Sequence, residues 1–140
     1  MVRVLVAVAI VALAAGVAAI VNRHRRADPP TQPHHQIPVQ LDRSDFADPA
    51  TPWLVAVFSS ESCHTCADVV AKAEVMRSDD VAVDVVPFQT RREIHKRYAI
   101  DAVPLLVVAD AAGAVHASFL GPVTAADLWA TVAEARQPEV

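Results

Sequence analysis

Apolar and polar positions divide this chain into three regimes. From Val4 to Val21, eighteen consecutive residues carry neither a charge nor a strong polar group, only Val, Ala, Leu, Ile and one Gly. From Asn22 to Pro38 the apolar periodicity vanishes and four prolines interrupt the backbone, which predicts a semi-extended tether. Beyond Val39, apolar and polar stretches alternate over strand and helix lengths.

Within this third regime, Trp53 to Phe58 is an unbroken apolar run of strand length. It predicts a central strand covered on both faces. Cys63 to Arg77 places Cys66, Val69, Val70, Ala73 and Met76 on one stripe, which predicts a helix ending before Ser78. Val81 to Val86, broken only by Asp84, predicts a second strand. Thr90 with Glu93 three residues on has the form of a capping box, opening a short helix through Tyr98. Leu105 to Ala109 and Ala114 to Phe119 predict antiparallel strands joined by the Asp110 to Gly113 turn. Thr124 with Asp127 predicts the cap of a last helix, with Leu128, Trp129, Val132 and Ala135 as its apolar positions and Pro138 beyond its end. Trp53 and Trp129 are expected in the core. The order is strand, helix, strand, helix, hairpin, helix: an α/β fold.

Composition sharpens the first regime. A mean hydropathy of +0.31 and 54% hydrophobic residues are high for a soluble protein of 140 residues. A helix over residues 4–21 would reach about 27 Å against a hydrocarbon core of about 30 Å, so a single-pass membrane anchor is expected. An export signal with Val17-Ala18-Ala19 as its cleavage site is the other reading. The expected organisation is therefore an anchor over 1–21, a tether over 22–38 and one domain over 39–140. The net charge of −4 hides a split, about +3 over residues 1–43 and −7 over the rest. An acidic body argues against nucleic acid as a ligand. Arg23, Arg25 and Arg26 follow the apolar run whereas only Arg3 precedes it, which by charge places the body on the cytoplasmic side. His34 and His35 lie in the tether without further ligands of fixed geometry, so no metal site is expected there.

The chemistry concentrates in Cys63-His64-Thr65-Cys66, which holds both cysteines of the chain and sits where the first strand hands over to its helix. A thiol at a helix N-terminus faces unpaired N–H groups and the positive end of the helix dipole, which favour thiolate. Cys63 is therefore the expected nucleophile. Cys66, one turn deeper on the apolar stripe, is the expected resolving thiol. His64, if protonated, would stabilise the neighbouring thiolate, Glu61 would oppose it, and His64 and Thr65 together tune the couple.

With that motif after an apolar strand, Val103-Pro104 before the hairpin and Gly121 between the last strand and the last helix, the chain from about Ala50 to Arg136 resembles the thioredoxin family. The resemblance implies a mixed central sheet flanked by helices and disulfide exchange with protein thiols. It implies a cis Pro104 against the two cysteines, and Val103, Pro104 and Gly121 lining the groove for an extended substrate. Membrane-tethered proteins of this kind often face outward, which opposes the charge rule on the side of the membrane. The chain departs from the family pattern at Ser62, where tryptophan is usual, at His64-Thr65 in place of Gly-Pro, and at Val57 in place of a buried aspartate.

The expected function is that of a membrane-tethered thiol:disulfide oxidoreductase. It needs no cofactor, acts as a monomer on protein thiols and disulfides, and requires an electron donor or acceptor that the sequence does not name. A non-catalytic binding module of the same fold and a thiol-based metal carrier using Cys63 and Cys66, with His64 as a further ligand, are the alternatives. The binding module predicts that Cys63→Ser is harmless.

Overall fold

The structure is a computed structural model that describes Met1, residues 14–17 and residues 35–137. The chain divides into two units at His34 and His35. In the first unit residues 14–17 are helical. The remainder of the expected anchor and the tether up to His34 lie outside the described residues. Among the described residues, no helix is long and apolar enough to cross a membrane.

The second unit is built on a four-stranded sheet of β1 (Trp53–Ser59), β2 (Val81–Pro87), β3 (Leu105–Asp110) and β4 (Val115–Leu120) in the order β2-β1-β3-β4. The helices are α1 (Cys66–Glu74), α2 (Arg92–Arg97) and α3 (Ala125–Ala135). β1 pairs parallel with β2 and antiparallel with β3, and β3 pairs antiparallel with β4. β1 is interior, and its pleat explains why every residue from Leu54 to Phe58 is apolar. Val55 and Val57 join Val69, Ala73, Leu128 and Val132 in one core, whereas Leu54, Ala56 and Phe58 join Leu41, Phe46, Leu105 and Val107 in the other. Successive residues feed opposite faces, and both faces are covered.

Several boundaries differ from the sequence expectation for local reasons. The first helix starts at Cys66 rather than Cys63, because the Cys63 N–H donates to the Ser60 carbonyl at 3.1 Å and closes a turn ahead of the helix. At its other end, Met76 N–H bonds to Ala73 O and Arg77 N–H to Glu74 O, so the helix tightens and stops after Glu74. Thr90 does not cap α2. Arg91 precedes the first helical residue and makes no side-chain cap. Its guanidinium instead reaches Asp84 of β2 at 2.8 Å, a charged tertiary pair that outweighs a local cap. Trp129 is 52% exposed, because Leu128 and Val132, one turn apart, take the inward face of α3. Trp53 is partly buried against the core, edge-on to His116 with ring centres 5.2 Å apart.

Residues 39–43 extend the sheet edge beside the hairpin. Gln40 bridges Ala114, Leu41 N–H donates to Gly113 O at 2.8 Å, and Val115 N–H donates to Val39 O at 3.0 Å. Buried Arg43 fastens this segment by donating from Nη1 to the carbonyls of Thr51 and Asp110 and from Nη2 to that of Asp48. Burial lowers the pKa of its guanidinium from the ordinary value, with Asp110 opposing.

Asp110 organises the hairpin itself. Its Oδ2 accepts from His116 Nε2 at 2.8 Å and its Oδ1 accepts from the N–H groups of Ala112 and Ala114. The His116 bond first, then the two backbone bonds, hold its carboxyl below the ordinary value of 3.8, with burial opposing. A carboxylate depressed on folding stabilises the fold fully above its unfolded pKa, and that contribution is lost as pH falls through the folded value. Urea unfolding followed from pH 6 to pH 2 is therefore expected to show a flatter acid limb for Asp110→Asn than for the parent. Parallel limbs would show that the carboxylate gains nothing on folding.

Candidate active site

The sheet register gathers the candidate residues at one end. β1 and β2 run parallel and finish opposite each other at Ser59 and Pro87, so the loops that follow both strands meet there. β3 runs the other way and begins at Leu105, paired with Phe58 on one side and Leu120 on the other. Pro104 therefore lies at that same end, and its carbonyl accepts from Gly121 N–H at 2.8 Å. The Val103–Pro104 peptide bond is cis.

Four residues beyond β1, Cys63 is joined to Cys66 by a disulfide, with their Cα atoms 5.4 Å apart. The two sulfurs have unequal surroundings. Cys63 is partly exposed in the turn, whereas Cys66 is 3% exposed as the first residue of α1. Thr65 precedes the helix and makes no side-chain cap; its hydroxyl lies 3.7 Å from Cys63 Sγ and donates to it. His64 and Thr65 are both exposed.

Two clefts share Ser60 in their linings. One, of about 340 Å³, is lined by both cysteines with Glu61, Val70 and Thr90; apart from the cysteines, Glu61 is its one ionisable lining residue among those described. The other, of about 170 Å³, is lined by Phe88, His95 and Val103. His95 is buried, donates from Nε2 to the Val86 carbonyl at 2.9 Å, and lies edge-on between Phe58 and Phe88 at 5.3 Å from each. Pro104 is buried, while Val103 and Gly121 are partly exposed. The structure thus places Cys63, Cys66, Val103, Pro104 and Gly121 at one end of the sheet. Phe88, Gln89 and His95 also come to this end and were not singled out in the sequence. The signal that finds them is the parallel pairing of β1 with β2, which brings whatever follows Pro87 beside whatever follows Ser59.

No protein-family model matches the sequence, and no curated protein matches it. Solved structures do. Thioredoxin from Fasciola hepatica superposes with a TM-score of 0.51 at 21% identity, covering 59% of this chain and 80% of that one. The fold is thioredoxin-like. A malarial protein superposes with a TM-score of 0.54 at 13% identity over 60% of this chain and 97% of that one. StoA from Bacillus subtilis does so with a TM-score of 0.49 at 16% identity over 58% and 82%. In this thioredoxin-like fold Cys63 lies in the loop between β1 and α1, and Cys66 opens α1.

Proposed function

We propose that this chain is a thiol:disulfide oxidoreductase acting on protein cysteines, tethered to a membrane by residues 4–21. The observation that carries the redox reading is the asymmetric disulfide: a partly exposed Cys63 bonded to a buried Cys66, beside a cleft at the loop end of the sheet. An incoming thiolate reaches the exposed sulfur more readily than the buried one, and that difference assigns the order of events.

In the oxidised chain a client thiolate attacks Cys63 Sγ. The Cys63–Cys66 bond breaks, its electron pair leaves on Cys66, and the client is joined to Cys63 as a mixed disulfide. A second client thiolate then attacks the client sulfur and releases Cys63 as thiolate, so the client gains a disulfide and the pair gains two electrons. Each released thiolate takes up a proton from solvent according to its acidity. Run in reverse, the dithiol reduces a client disulfide, with Cys63 attacking and Cys66 resolving. The backbone of Val103, Pro104 and Gly121 lines the approach of the client chain, and His64 and Thr65 adjust the sulfur they flank.

The tether rests on the eighteen uncharged residues ahead of Arg23, Arg25 and Arg26. Alkaline extraction of membranes is expected to leave the full chain in the pellet, and release into the supernatant would overturn this part. The redox part is tested by equilibrating the full chain in detergent against glutathione or dithiothreitol buffers. A reversible two-electron couple between about −300 and −120 mV is expected. Thiols that show no reversible couple, or react only after denaturation, would overturn it.

A further inference from the structure

The turn that carries Cys63 is held from outside its own sequence. The β1–β2 ladder ends at Ser59 and Pro87, and Phe88 N–H still donates to the Ser59 carbonyl at 2.9 Å. One residue further on, a side chain takes over from the backbone. Gln89 Oε1 accepts from Glu61 N–H at 3.1 Å, and Gln89 Nε2 donates to Ser60 Oγ at 3.0 Å. Ser60 Oγ in turn lies 3.1 Å from Ser62 Oγ, and the Ser60 carbonyl accepts from Cys63 N–H at 3.1 Å. One amide thus uses both ends to grip two consecutive residues of a turn, and the same turn closes on the backbone of the exposed cysteine.

We propose that Gln89 is a positioning residue for Cys63, holding the 60–63 turn so that the Cys63 sulfur stays against the uncapped first turn of α1. The inference rests on the oxidoreductase reading and names a determinant of its reactivity. An amide is suited to this place because it donates and accepts at once without charge; a carboxylate would lose the donor and set a negative charge near the sulfur. Thr65 offers no side-chain cap, so the first-turn N–H groups of α1 remain available to a sulfur held in position, and a relaxed turn gives up that geometry.

The test uses the full chain, reduced, and follows the rate of iodoacetamide alkylation at Cys63 against pH, with Cys66→Ser as the background so that one thiol reports. Gln89→Met keeps the length of the side chain and removes both hydrogen bonds. It is expected to move the alkylation midpoint upward and slow alkylation at pH 7 about three- to tenfold, with little change in thermal stability, since Gln89 is exposed. In the two-cysteine chain, the equilibrium against glutathione should shift by a similar factor. Ser60→Ala acts on the same latch from the other side, so its effect and that of Gln89→Met should fail to add. An unchanged midpoint and an unchanged equilibrium in Gln89→Met would overturn the proposal, whatever happens to stability. Should the parent chain show no reversible couple, the oxidoreductase reading fails on its own, while the alkylation midpoint still reports whether Gln89 positions the sulfur.

Discussion

Cys63→Ser is expected to reduce disulfide exchange to the uncatalysed background, while Cys66→Ser is expected to attack once and stall. The asymmetry follows from burial. Cys66, at 3% exposure in the first turn of α1, is screened from a client disulfide, whereas Cys63 stands partly exposed in the turn before the helix. With Cys63 replaced, the remaining thiol has little access to a client, and a serine hydroxyl stays protonated at neutral pH. With Cys66 replaced, Cys63 still attacks and forms the mixed disulfide, but no internal thiolate is in reach to release it. Reaction with an aromatic disulfide reagent, followed by intact mass, separates the two cases: Cys66→Ser should carry one stable adduct at Cys63 and Cys63→Ser should carry almost none. An adduct that accumulates on Cys66 instead would reverse the assignment. Undiminished function of Cys63→Ser would remove the pair from the chemistry and favour the binding-module reading.

The parts of this molecule that the sequence made legible are those announced by neighbours a few residues apart. The Trp53–Phe58 run, the Asp110 to Gly113 turn and the Leu128/Val132 spacing each signal an element through local chemistry, and all three elements formed. The cysteine pair was legible for the same reason, since two thiols three residues apart behind a strand have few structural uses. What stayed hidden depends on pairing across the chain. Gln89 looks like any polar loop residue until the parallel register of β1 and β2 sets it beside Ser60. Residues 39–43 have no strand signature, yet Leu41 and Val39 bond to the hairpin because buried Arg43 holds their segment there. Thr90 and Glu93 satisfy a local capping rule that loses to the pair between Arg91 and Asp84, seven residues back on β2. Trp129 was misplaced because one position on a helix turns a side chain by about 100°, enough to carry it from core to solvent once Leu128 takes the inward face. Only the resemblance points to Val103, Pro104 and Gly121 as neighbours of the cysteine end of the sheet, since neither a Val-Pro step nor a Gly-Pro turn marks that position by itself.

The largest loss of stability from a single methyl group is expected at Gly113, far from the cysteines. Its φ of +83° is a backbone conformation that costs an L-residue about 1–2 kcal/mol. The torsion is the smaller part. A Cβ at this position would fall on the carbonyl oxygen of Leu41 and lie 2.9 Å from its carbonyl carbon, and these are backbone atoms that no rotamer change can move aside. Relief would require residues 39–41 to separate from the hairpin, breaking the Leu41 N–H bond to Gly113 O and the Val115 N–H bond to Val39 O. Gly113→Ala is thus expected to cost about 3 kcal/mol in all, a large share of the roughly 5–15 kcal/mol that holds a domain together. Thermal unfolding should show a fall of about 15 °C. Two comparisons separate torsion from overlap. Gly121 has a φ of +94° but open space around its Cβ position, so Gly121→Ala is expected to lose only the torsional part, about 1 kcal/mol. Gly113→Asn relieves the torsion better than alanine and still carries the Cβ, so it is expected to be nearly as damaging as alanine. If asparagine at 113 restored most of the stability, the overlap with Leu41 would not be the dominant cost, and residues 39–41 would be free to move off the hairpin at little expense.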